Sequence, residues 1–115
     1  MPLLTLNTNR SLDETERQDL LNSLSEHTAT MLGKPESYVM VHILDAQTMS
    51  FGGDSAPCAY LQLKSLGLPE QRTAEFSAQL CQLVEQKLAI PTNRIYIEFS
   101  SPARHLWGWD TRTFG

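Results

Sequence analysis

Cysteine is scarce, at two of 115 residues. Cys58 and Cys81 are too few for a disulfide framework and do not stand at metal-ligand spacing, so they read as small buried thiols. Long apolar runs are missing too, and none approaches the ~20 residues that cross a bilayer. Nine Lys and Arg stand against thirteen Asp and Glu, for a net charge of −4. They form no basic patch, so nucleic acid is not an expected partner. None of the three histidines, His27, His42 and His105, stands three or four residues from another histidine or a cysteine, which argues against zinc. No G-x-S-x-G occurs, and Gly52-Gly53 lacks the Lys-Ser/Thr of a phosphate loop. Met1 to Leu6 has no basic leader, and Asn7, Asn9 and Arg10 follow too early for a signal segment, so the expected compartment is cytoplasmic.

What is present suits one folded domain over 1–115. Apolar residues make up 41% and charged residues 19%, which excludes a disordered acidic tail. A chain of this length buries roughly 65% of its unfolded surface and needs no disulfide or metal to hold a core. Ser11 and Glu14 form a capping-box pattern, and Leu20, Leu21, Leu24, Met31 and Leu32 fall on one helical stripe. Gly33 supplies a left-handed stop before Lys34-Pro35. Val39 to Leu44 reads as a strand buried on both faces, and Cys58 to Leu66 as a further strand. A second helix is predicted from about Glu70 to Leu88, followed by a strand from Arg94 to Phe99. Short irregular strands are expected between Leu106 and Phe114.

The two halves match. Pro35 and Pro91 lie 56 positions apart, each between a helix and a strand, and the same offset relates Pro2 to Cys58. Two β-α-β units of equal length predict an α+β fold: a four-stranded mixed sheet, parallel within each unit, with both helices on one face. The strands look apolar enough to leave a large patch on the other face, so an oligomer is expected.

Pro2 is chemically ambiguous. As an internal residue it simply begins an edge strand. If Met1 is removed, its ring nitrogen becomes a free secondary amine, and an apolar pocket near a cation would favour its neutral, basic form. If Met1 stays, that nitrogen is an amide without useful basicity. Lys34 is equally open, since a lysine after a helix end also complements the macrodipole. The aromatics Tyr38, Tyr96, Trp109 and Phe114 could serve a core as well as a site.

A set of residues in order resolves these choices toward a family. Met1-Pro2 with Asn7-Thr8-Asn9, Gly33-Lys34-Pro35, Tyr38, Phe51-Gly52-Gly53, Pro57-Cys58-Ala59, Ser65-x-Gly67, Arg94-x-Tyr96-Ile97, and Gly108-Trp109 with Thr113-Phe114 span the chain from end to end. On these the chain resembles the macrophage migration inhibitory factor family, which includes D-dopachrome tautomerase, within the N-terminal-proline tautomerases. The resemblance implies a homotrimer with sites between subunits, keto–enol tautomerisation of phenylpyruvate-like aryl acids, and no metal or organic cofactor. It makes Pro2 the catalytic base and Lys34 the residue that holds the substrate's carboxylate or carbonyl oxygen. Leu66 would face the substrate with its backbone amide, and Ser65 adjoins it. Tyr38, Trp109 and Phe114 would form the mouth and wall, and Tyr96 would come from the neighbouring subunit.

Three positions depart from the vertebrate pattern. Leu61 replaces the second cysteine of a Cys-x-x-Cys, so two-thiol redox chemistry is not expected. Glu98 stands in place of a site-lining asparagine and would repel anionic substrates unless Lys34 or Lys64 pairs with it, which predicts weak phenylpyruvate turnover. Trp107 replaces a small aliphatic residue at the pocket rim and would narrow the entrance. The resemblance also implies a second role, as a cytokine-like protein released without a signal peptide and acting on a protein receptor.

Overall fold

Alternation along the strands decides which way the sheet faces. The computed structural model describes residues 1–115. Strand β1 (Pro2–Thr8) buries Pro2, Leu4, Leu6 and Thr8 and leaves Leu3, Thr5 and Asn7 on the opposite face. After α1 (Glu14–Leu32), β2 (Met40–Leu44) pairs parallel with β1, Leu3 opposite Met40. β3 (Ala59–Ser65) runs antiparallel to β1, with Pro2 opposite Ser65, and buries Ala59, Leu61, Leu63 and Ser65. After α2 (Thr73–Leu88), β4 (Ile95–Ser100) pairs parallel with β3, giving the order β2-β1-β3-β4. Two 56-residue β-α-β units are thus joined through their first strands. The short hairpin β5 (Gly108–Trp109) and β6 (Arg112–Thr113) closes the chain.

One core lies between sheet and helices. Leu20, Leu24 and Met31 of α1 and Phe76, Leu80, Val84 and Leu88 of α2 pack with Leu4, Leu6, Leu61 and Leu63. The repeat extends to the turns. Gly33 and Ala89 both take left-handed φ values, 63° and 56°, and a 3₁₀ turn follows each at Glu36–Tyr38 and Thr92–Arg94.

Four local expectations change. The capping box is Asp13 with Glu16, not Ser11 with Glu14: Asp13 Oδ1 accepts from the Glu16 amide at 2.7 Å, and Glu16 Oε1 accepts from the Asp13 amide at 3.3 Å. Leu12 is the cause. It is buried, its amide donates to Asp45 at 2.9 Å, and Arg17 donates to its carbonyl at 2.7 Å, so the helix cannot start before it. Likewise, Glu70–Arg72 is a separate 3₁₀ turn ahead of α2. β2 is not buried on both faces but is an open edge strand, with Met40 66% exposed. Finally, the uncovered sheet face is mixed rather than apolar. Thr5, Asn7, His42, Gln62, Lys64 and Glu98 lie on it among Leu3, Met40, Tyr60 and Tyr96.

The Asn7-Thr8-Asn9 run ties β1 to the entry of β3. Asn7 donates to the Tyr60 carbonyl at 3.2 Å, Thr8 to Cys58 at 2.8 Å, and Asn9 to Ser55 and Ala56 at 3.0 and 3.1 Å. Thr8 is fully buried and its hydroxyl oxygen also accepts from the Arg10 amide at 3.1 Å. Thr8→Val would leave the buried Cys58 carbonyl and the part-buried Arg10 amide without this partner and should cost about 1–3 kcal/mol. A lower urea midpoint with an unchanged m-value is the expected reading, and an unshifted midpoint would show that water replaces the hydroxyl.

Candidate active site

A cleft of about 700 Å³ opens at the N-terminal end of β1. It is lined by Pro2 and Leu3 of β1, by Tyr38 ahead of β2 and Met40 on it, and by Trp107 and Trp109 of the C-terminal segment. Each arrives by a local device. The left-handed Gly33 ends α1 and turns the chain toward Lys34, and the following 3₁₀ turn, closed by Tyr38 N to Pro35 O at 3.1 Å, carries Tyr38 to the mouth. Parallel pairing sets Met40 beside Leu3. The β5–β6 hairpin turns through Asp110 and Thr111, both at positive φ, and presents the Trp109 ring. That ring meets Tyr38 edge-on at 5.9 Å and stacks on Phe114 at 6.0 Å, with Arg112 over it at 5.8 Å.

The electrostatics favour a neutral amine here. Burial first, and then the positive charge of Lys34, hold the N-terminal amine below the ordinary α-amine range. That amine belongs to Met1, which also lines the cleft. Removing Met1 would pass the role to Pro2, which is more deeply buried. No carboxylate lines the cleft, and Ser37 and Tyr38 are its hydroxyl residues.

The sequence-predicted residues therefore separate into three groups. Pro2, Tyr38, Trp107 and Trp109 line the cleft, Phe114 backs Trp109, and Lys34 acts on the N-terminal amine. Ser65 and Leu66 lie next to Pro2 across the ladder but are buried, with the Ser65 hydroxyl 3.4 Å from the Leu66 carbonyl. Tyr96 and Glu98 are not brought to Pro2 within one chain. Tyr96 is in register with Tyr60 and through it with Asn7, five residues along β1 from Pro2, or about 16 Å. It sits instead in a second cleft of about 250 Å³, against Phe51 with ring centres 4.8 Å apart.

Glu98 pairs with neither Lys34 nor Lys64 by direct contact. Its Oε1 accepts from the Tyr60 hydroxyl at 2.6 Å and from Gln62 at 3.1 Å, and these bonds hold its carboxyl below the usual range. The same pairing raises the Tyr60 hydroxyl. Sequence reasoning missed Leu3 and Met40 as cleft residues; the parallel register of β1 and β2 was the signal that could have found them.

No cluster of three or more His, Cys, Asp or Glu side chains is arranged to hold a metal ion, and no helix is long and apolar enough to cross a membrane. The macrophage migration inhibitory factor profile matches residues 1–115. A macrophage migration inhibitory factor homologue of Trichinella spiralis is 41% identical over 99% of this chain and 100% of its own. The homologue of Trichuris trichiura is 42% identical over the same shares. The crystal structure of the Prochlorococcus marinus homologue superposes with a TM-score of 0.92 at 39% identity, covering 98% of this chain and 99% of that one. With a matching sequence profile over every residue and the same overall fold, the chain belongs to the macrophage migration inhibitory factor family, whose members are tautomerase or cytokine-like proteins.

Proposed function

We propose that this protein is a keto–enol tautomerase of phenylpyruvate-like aryl acids, with Pro2 as the acid/base group. The observation that carries this reading is the N-terminus itself, which lines an aromatic cleft and whose amine, that of Met1, is held below its ordinary range by partial burial and by the charge of Lys34. In the enolising direction, the neutral Pro2 nitrogen takes a proton from the carbon next to the keto group. The C–H electron pair becomes the carbon–carbon double bond, the carbonyl pair moves to oxygen, that oxygen takes up a proton from water, and Pro2 returns its proton to solvent. The reverse direction returns the Pro2 proton to carbon. No electrons leave the substrate, so no redox cofactor is needed.

Lys34 supplies charge complementary to the substrate's carboxylate and to the developing enolate. The aromatic walls of Tyr38, Trp107 and Trp109 take the aryl ring. The working form is a homotrimer in which Tyr96 and Glu98 of a neighbouring copy complete the cleft. Supporting this, both edge strands and one sheet face are uncovered, and these two side chains lie two strands away from Pro2, in register with Asn7 and Thr5 of β1 and on the uncovered face.

The test is phenylpyruvate tautomerisation followed against pH, on protein whose intact mass shows Met1 removed. kcat/KM should rise with pH through an apparent pKa below the free α-amine value of about 7.7–8.0. The sign of the Lys34 effect follows. Its charge disfavours protonated Pro2, so Lys34→Ala should move that apparent pKa upward and leave less neutral amine at pH 7. It should also slow turnover of a carboxylate substrate by about tenfold or more. A pH profile unmoved in Lys34→Ala would remove the lysine from this role. No turnover with Pro2 shown free would bring a cytokine-like interaction role forward.

Trp107 narrows the entrance on this reading. Trp107→Val should tighten binding of bulky aryl ligands by about three- to tenfold while leaving phenylpyruvate little changed. Equal inhibition constants for large ligands in the two proteins would count against a rim function.

A further inference from the structure

Arg94 ends the 3₁₀ turn before β4, two residues ahead of Tyr96 and on the same side of the strand. Its guanidinium donates to four backbone carbonyls of a single loop: Nε to Pro57 at 3.0 Å, Nη1 to Phe51 at 3.3 Å, and Nη2 to Asp54 and Ala56 at 2.9 and 3.0 Å. It also lies over the Phe51 ring at 5.4 Å. The loop is shaped to be held this way. Gly52 and Gly53, at φ 62° and 77°, reverse the chain, while Phe51 and Asp54 exchange backbone hydrogen bonds at 2.9 and 3.1 Å. Asn9 grips Ser55 and Ala56 from the other side.

The consequence reaches Tyr96. That ring is 66% exposed, and Phe51 is the aromatic ring it packs on. Arg94, Phe51 and Tyr96 form one stack, so the guanidinium sets the loop, the loop sets Phe51, and Phe51 sets the Tyr96 ring. A lysine could not replace it, because an ammonium lacks the planar fork that meets several carbonyls at once and covers a ring face.

We propose that Arg94 is a positioning residue: by clamping the 51–57 loop it fixes the Phe51 ring, which orients Tyr96 for the substrate cleft of a neighbouring copy. The inference rests on the tautomerase reading for its functional half and on this chain's own geometry for its structural half. Arg94 does not touch substrate, and no proton passes through it. Its loss should therefore act on substrate binding and not on the base.

Arg94→Lys and Phe51→Leu, each checked for oligomeric state and thermal melting, test both halves. Phe51→Leu keeps the four carbonyl bonds and removes only the ring, so it serves if Arg94→Lys folds poorly. The three tyrosines labelled as 3-fluorotyrosine give resonances assignable by Tyr→Phe variants. The Tyr96 signal should lose its Phe51 ring-current shift in both proteins. KM for phenylpyruvate should rise about two- to tenfold, the worth of one aromatic contact, with kcat and the apparent pKa of Pro2 unchanged. In a Tyr96→Ala background, Arg94→Lys should add nothing further to KM. A folded Arg94→Lys protein with wild-type KM and an unmoved Tyr96 resonance overturns the proposal, as do KM effects of Arg94→Lys and Tyr96→Ala that multiply. A wild-type protein with free Pro2 and no turnover overturns the tautomerase reading alone, and the fluorine resonance then decides the clamp.

Discussion

Protein that begins at Pro2 is expected to tautomerise phenylpyruvate, and the same chain with Met1 retained is expected to lose about 10²–10⁴ of that rate. The reason is one bond. An α-amine in this cleft is held toward its neutral form by burial and by Lys34, and is free to take a proton. Joined to Met1, the Pro2 nitrogen is an amide whose lone pair is delocalised into the carbonyl, and no cleft restores its basicity. Pro2→Ala is the companion variant. It leaves a primary amine in place of the ring, free to turn away from the substrate, and should fall to near background. Intact mass paired with rate makes the comparison clean, since preparations of mixed processing should show activity in proportion to the Met1-free fraction. Equal rates with and without Met1 would exclude Pro2 as the base.

Glu98→Asn is expected to raise kcat/KM for phenylpyruvate by roughly three- to tenfold at low salt. The carboxyl of Glu98 is held ionised by the Tyr60 hydroxyl and Gln62, with Lys64 contributing at longer range. It is therefore a fixed negative charge at neutral pH, exposed on the uncovered sheet face. In the proposed trimer it faces a carboxylate substrate, which it repels against the pull of Lys34. Asparagine keeps an oxygen that can accept from Tyr60 and removes the charge. Because the effect is charge on charge across water, the advantage of the variant should shrink as ionic strength rises. It should shrink also below the depressed carboxyl pKa, where wild-type Glu98 takes up its own proton. A neutral keto substrate should show little difference. Rates identical across pH and salt would remove Glu98 from the cleft.

Much of the architecture was legible because its causes are local. The helical stripe of Leu20, Leu24 and Met31, the left-handed stop at Gly33, and the shared 56-residue spacing of Pro35 and Pro91 depend on residues close in sequence. The misplaced cap shows where that kind of reading ends. Ser11 with Glu14 and Asp13 with Glu16 are both sound capping patterns, and the choice fell to Asp45, which takes the Leu12 amide from 33 positions away. β2 looked doubly buried because Val41, Ile43 and Leu44 are apolar, yet strand order placed it at an edge.

The sequence by itself determined the two β-α-β units, the mixed sheet and, through ordered motifs, the family. Only the tertiary structure decided which residues meet. Pairing register set Met40 and Leu3 beside Pro2, the terminal hairpin brought Trp109 across to Tyr38, and strand order put Tyr96 and Glu98 two strands away from Pro2. The physical reason is that helix periodicity and turn chemistry are written within a few residues. Strand order and register instead emerge when distant segments bury a common core, and the surroundings of a side chain follow from that packing rather than from its neighbours in sequence.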